Sequence, residues 1–181
     1  LVARAIHTGG LVETVQASEV SEVLGINNRV HLAQAEGLMR ERIRCRCMLQ
    51  GATLIDPSST YIDSSVAVGQ DTVIYPNTHL YGETYIGSGS HLGPNTIVMN
   101  STVGDRCRVV ASVLDGVTLG PHSDVGPFSH LRHGTYVESE VHIGNFVEVK
   151  ESRLGRGTRV GHFSYIGDAI LGSDVNIGAG T

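Results

Sequence analysis

Residues 62–98, "IDSSVAVGQDTVIYPNTHLYGETYIGSGSHLGPNTIV", decide the fold: Ile62, Val68, Ile74, Leu80, Ile86, Leu92 and Val98 stand six apart. Six is neither the helical period nor strand alternation. It suits a strand of about four residues closed by a tight turn and repeated as the rungs of a parallel β-helix. The slot two before each aliphatic is small or β-branched, as at Val66, Thr72, Thr78, Thr84, Ser90 and Thr96, and the slot after it is often Gly, as at Gly69, Gly87 and Gly93. Inward residues must be aliphatic or small because three faces converge on a narrow interior. Gly, Asn and Asp at the corners tolerate positive φ.

Downstream, a one-residue slip leads to Val103 and Val109. Val113, Leu119, Val125, Leu131, Val137, Ile143 and Val149 then resume the step, followed by Leu154, Val160, Ile166, Leu171 and Ile177. Ser123, Ser129, Thr135, Val141 and Val147 hold the small slot, as does Cys107, which reads as core filler. Three hexapeptides close one triangular coil, so these 21 aliphatics predict seven coils.

Before Gly51 the pattern changes. "LVETVQ" (11–16) reads as a short strand and "SEVSEVLG" (18–25) as a helical turn or two. Val30, Ala33, Leu38 and Ile43, with charges between them, predict an amphipathic helix over about 28–49. "DPSS" (56–59) is a turn into the first coil. The organisation expected is a remnant at 1–27, a connecting helix and turn at 28–55, and a β-helix at 56–181.

Composition narrows the functional classes. Gly, at 23 of 181 residues, is nearly twice its usual share and marks many tight turns. The net charge of −5 and the lack of a dense Lys/Arg cluster give no footprint for nucleic acid or a membrane surface. There is neither a bilayer-spanning apolar run nor a signal-peptide pattern, so a soluble cytoplasmic protein is expected. The three cysteines, Cys45, Cys47 and Cys107, read as reduced thiols; a C-x-C metal clip at 45 and 47 lacks a second pair.

The informative residues are bulky polar groups at corners. Arg132 follows Leu131 and Lys150 follows Val149, 18 apart, which places them on one edge in neighbouring coils about 4.8 Å apart. Stacked cations repel unless an anion bridges them, and phosphate suits that role. Glu148 and Tyr165 precede inward aliphatics on the same face. The alternative is a solvated edge with a structural ion pair. His162, two after Val160, falls outside the core: it is either a plain surface histidine or a functional one. No two histidines stand five apart, which argues against zinc catalysis on this fold.

"GPFSHLRHGT", "VHIGNFVEVKESRLGRGT", "GHFSYIGDA" and "VNIGAGT" together resemble the acetyltransferase domain of the bifunctional N-acetylglucosamine-1-phosphate uridyltransferase/glucosamine-1-phosphate N-acetyltransferase family. "GINNRVHLAQAE" is similar to the segment joining that family's two domains, and the likeness extends over essentially the whole chain. It implies a left-handed β-helix, a homotrimer with active sites shared between subunits, and acetyl transfer from acetyl-CoA to the amine of glucosamine 1-phosphate. By the same likeness His162 matches the catalytic base; Arg132, Lys150, Tyr165 and Asn176 match sugar-phosphate contacts; and Ala179 matches an acetyl-CoA contact. Asn27 resembles a ligand of Mg2+ and sugar nucleotide in the uridyltransferase site. The parent enzyme would also make UDP-N-acetylglucosamine from UTP, the precursor of peptidoglycan and lipopolysaccharide.

Two departures stand out. The family usually has Pro after the arginine matched by Arg132; here it is His133, so a stiff turn is lost and the aim of Arg132 is less fixed. The uridyltransferase domain would lie before Leu1, and later coils supplying most of the acetyl-CoA site would lie beyond Thr181. The expectation is a fragment that keeps the base and phosphate clamp and is inactive alone. The competing reading is a non-catalytic β-helix used for oligomerisation or ligand binding.

Overall fold

In the computed structural model, which describes residues 1–181, the chain divides into two units, Leu1–Met39 and Arg40–Thr181. The first holds a short helix, Val2–His7, one 3-10 turn, Val20–Val23, and the start of a long helix, Arg29–Leu49. Asn28 caps the long helix: its Oδ1 accepts from the His31 N–H at 2.9 Å. Residues 11–16 form no strand, contrary to their pattern. They are exposed throughout, and a strand without a paired edge leaves its backbone groups to water.

The second unit takes up the long helix at Arg40. Of the helix's residues only Ile43 and Cys47, one turn apart, are buried, and both join the β-helix core. Val30 and Leu38 stay exposed, so the amphipathic face expected along the whole helix is used only in its last two turns. The chain leaves the helix through Gly51, whose φ of +101° suits a residue without Cβ. Pro57–Ser59 is a 3-10 turn capped by Asp56, as the "DPSS" motif predicts.

From there short parallel strands wind through three faces. Face 1 stacks Thr53, Val73, His91, Arg108, Asp124, His142, Arg159 and Asn176; face 2 runs from Ala67 through Tyr136 to Ile170; face 3 stacks Tyr61, His79, Ile97, Val113, His130, Glu148 and Tyr165. Behind each outward residue stands an aliphatic, fully buried in all but the outermost coils. Ile74, Leu92, Val109 and Ile143 line face 1, and Leu80, Val98, Leu131 and Val149 line face 3, all at 0 % exposure.

One slot differs from the periodic reading. Leu114, not Val113, is the inward residue; Leu114 pairs with Val98 and Leu131, and Val113 looks outward. The steps 109 to 114 and 114 to 119 are both of five, because the corner turns there are one residue shorter. A strict step of six cannot see that shortening.

The small slot does more than save space. Ser129 Oγ donates to the Gly144 carbonyl at 2.6 Å and accepts from the Val147 N–H at 3.0 Å. Thr72 and Ser90 make the same two-way bridge between coils. Each hydroxyl satisfies backbone groups that a corner would otherwise leave orphaned inside. Cys107 occupies one such slot at 1 % exposure, and burial pushes its thiol up to about 11.

Candidate active site

Two nine-residue strands, His142–Lys150 and Arg159–Gly167, bend through the corner from face 1 to face 3 and pair along their length. The register sets Asn145 beside His162, Glu148 beside Tyr165 and Lys150 beside Gly167. Close packing at the bend depends on Gly144: a Cβ there would run into the Gly161 carbonyl oxygen. His162 is exposed, with its ring edge-on to Phe163 at 6.0 Å and 85°.

At this corner the non-glycine residues with positive φ are Asn77, Asn95 and Ala111, then Phe128, Phe146 and Phe163. The three phenylalanines stack at 5.5 and 5.1 Å and are 61 %, 49 % and 59 % exposed. Bulky side chains are rare at positive φ, at a cost of about 1–2 kcal/mol each, so a ladder of three is unusual. With His130, Glu148 and Tyr165 it lines a groove of about 540 Å³, within the range that holds a small molecule. The aromatic ladder was missed in the sequence, although Phe recurring at intervals of 18 and 17 is visible there.

Arg132 and Lys150 fall one coil apart at the next corner, as their spacing predicts. Neither waits bare. Arg132 Nη1 donates to Glu148 Oε1 at 2.8 Å, with both side chains nearly half exposed, and this bond raises the guanidinium pKa above its ordinary value. Lys150 Nζ lies 3.8 Å from Asp168 Oδ2. Exposed pairs of this kind contribute little, so an incoming phosphate can displace the carboxylates. A second groove, lined by Asp115, His130, Arg132, His133, Lys150 and Glu151, adjoins the first through His130.

The turn carrying Arg132 forms without proline. The Thr135 N–H donates to the Arg132 carbonyl at 3.2 Å, and Gly134, at φ +78°, occupies the position that demands positive φ. Those are the features of a type II turn with His133 at its second position.

The other expected residues divide. Ala179 stands one coil beyond His162: Ile177 pairs with Val160, and the Gly180 N–H donates to the Phe163 carbonyl at 2.8 Å. Asn176, beside Arg159 on face 1, is on a different face from Tyr165. Asn27 is in the first unit, exposed, with its backbone N–H 3.4 Å from His31 Nδ1. No group of three His, Cys, Asp or Glu side chains is placed to hold a metal ion. The helices include none long and apolar enough to cross a membrane.

Comparison with known proteins agrees with the coils. The family described as "Bacterial transferase hexapeptide (six repeats)" matches residues 65–100, which places the chain among hexapeptide-repeat proteins. Within that class it belongs to the GlmU family. It is 48 % identical over 177 residues to the "Bifunctional protein GlmU" of Carboxydothermus hydrogenoformans, covering 97 % of this chain and 40 % of that protein. The Synechococcus elongatus protein of the same name is 48 % identical over 170 residues, covering 94 % and 38 %. The chain therefore spans about 40 % of the length of these relatives. A UDP-N-acetylglucosamine acyltransferase structure from Francisella novicida aligns at 15 % identity and a TM-score of 0.42 over 67 % of this chain and 55 % of that one, too slight a likeness to carry an argument.

Proposed function

We propose that the chain is the acetyltransferase part of a GlmU-type enzyme and serves transfer of acetyl from acetyl-CoA to glucosamine 1-phosphate. The observation that carries this is an exposed His162, held at a bend by seven register positions, with stacked Arg132 and Lys150 at the adjoining corner.

In this reading Arg132 and Lys150 release Glu148 and Asp168 and take the phosphate, which orients the sugar amine. His162 removes a proton from the ammonium. The freed nitrogen lone pair attacks the thioester carbonyl. As the tetrahedral intermediate collapses the C–S bond breaks, the nitrogen gives up its second proton to leave the neutral amide, and the departing CoA sulfur takes up a proton. Base catalysis of this kind contributes about 10²- to 10⁴-fold. Tyr165 faces the sugar, and Ala179, one coil from His162, meets acetyl-CoA.

Asn176 joins the site if a neighbouring subunit of a homotrimer presents its face 1 to this face 3, and a left-handed winding is part of the same reading. Asn27 would give Mg2+ a single contact in the uridyltransferase reaction, which is assigned to the longer cytoplasmic protein. The scaffold reading has one observation in its favour: both cations already have carboxylate neighbours.

The test is to incubate the chain with acetyl-CoA and glucosamine 1-phosphate and to look for N-acetylglucosamine 1-phosphate by mass spectrometry, with His162→Ala alongside. Product that depends on His162, or saturable sugar-phosphate binding without turnover, supports the enzyme reading. Neither product nor binding would leave the scaffold.

A further inference from the structure

The groove holding the two cations is less cationic than the pair alone implies. Its lining sets Arg132 and Lys150 against Asp115 and Glu151, and Glu148 and Asp168 lie against the same two cations, so these six groups carry a formal charge of −2 while His130 and His133 are neutral. Protonating both imidazoles cancels it. The groove's preference for an anion therefore depends on its histidines.

His133 is built into this position. Its turn is one residue longer than the neighbouring turns at Asp115–Val117 and Lys150–Ser152, and the added residue carries the imidazole into the groove. The ring has room because Gly116, in the preceding coil, has no side chain: a Cβ there would stand 2.5 Å from His133 Nδ1. On the other side the Glu151 N–H donates to the His133 carbonyl at 3.3 Å and ties the turn to the next coil. The titratable and charged groups facing it are Asp115 from the preceding coil, Arg132 and His130 from its own, and Lys150 and Glu151 from the next.

We propose that His133 is a third, protonation-dependent cation of the phosphate groove, tightening the hold on a sugar phosphate as the pH falls. This rests on reading the groove as the sugar-phosphate site. Imidazole is the side chain that ordinarily changes charge between about pH 5 and 8. Its contribution to binding is thus present where the imidazole is charged and absent where it is neutral. A charge-assisted contact to phosphate that is made or lost changes affinity by about tenfold.

The experiment is calorimetric titration of glucosamine 1-phosphate into the full chain and into His133→Pro, at pH 5.5 and 8.0. Proline suits the second position of this turn. It removes the imidazole and also stiffens the turn that carries Arg132, an effect that does not change with pH, so the imidazole is read from the change between the two pH values. His133→Gln serves if circular dichroism shows the proline variant misfolded. The phosphate's own proton, which binds near pH 6, weakens both proteins equally, so the quantity read is the ratio of the two Kd values. The ratio of variant to unaltered Kd is expected to be about tenfold larger at pH 5.5 than at pH 8.0. The same ratio at both pH values would overturn the role of His133 and leave the sugar-phosphate reading standing. No binding by any of the proteins at either pH would overturn both.

Discussion

Gly144→Ala adds one methyl group at a point where two coils touch. The built Cβ falls against the Gly161 carbonyl oxygen, which is backbone and cannot swing aside. The strands must part by more than about 1.5 Å before the contact reaches an ordinary separation. That displacement lands on Gly161 and His162, because Asn145 and His162 are register partners immediately beside it. Overpacking at a buried position costs about 1–3 kcal/mol, or a fall in Tm of roughly 2–10 °C for a chain of this size. A shift of about 1 Å at a reacting group costs on the order of 10²-fold in rate. Gly161→Ala is the matched control: its Cβ meets nothing within 4 Å, so stability should change by less than about 1 kcal/mol. The assay is calorimetric Tm for each variant, together with the carbon-bound proton resonances of the His162 ring. Gly144→Ala should lower Tm and move those resonances, and Gly161→Ala should leave Tm nearly unchanged. Equal effects from both substitutions, or a silent Gly144→Ala, would refute the claim that this contact sets the position of His162.

Two further outcomes follow from the interior. Ser129→Ala strips the Gly144 carbonyl and the Val147 N–H of their shared partner, so urea denaturation should show a loss of about 1–3 kcal/mol; no loss would mean that the bridge is not needed. Cys107 titrates at about 11 when folded, against about 8.5 for a free thiol. The unfolded chain releases that proton first, so the stability tied to this group is whole below pH 8.5 and declines as pH rises from there to about 11. Stability curves of the unaltered chain and Cys107→Ala should therefore converge over that window, and parallel curves would contradict the burial argument.

Much of this was open to reading because the repeat is its own evidence. A coil that must bury one aliphatic and one small residue per face writes both into the sequence, and seven of each per face leave little freedom. The spacing of Arg132 and Lys150 then placed them correctly on one edge. What the period hides is turn length: Leu114 displaced Val113 because a shorter corner breaks the step without breaking the fold. Charge partners are only half legible. The shared face makes Glu148 a group able to neutralise the cations, but which cation it meets depends on rotamers across coils, and that cation is Arg132. The phenylalanine ladder stayed unseen because positive φ points to Gly and Asn, and three aromatics accepting that strain is exceptional. Upstream, "LVETVQ" had the composition of a strand and no edge on which to become one.

The central claim is that the cation pair and His162 serve one ligand. Titrating glucosamine 1-phosphate into isotope-labelled chain, while following the Arg132 and Lys150 side-chain signals and the His162 ring by NMR, tests it most directly. The account predicts that all three move and saturate at one common concentration. Arg132 and Lys150 saturating while His162 stays unmoved would separate the phosphate groove from the proposed base and contradict it.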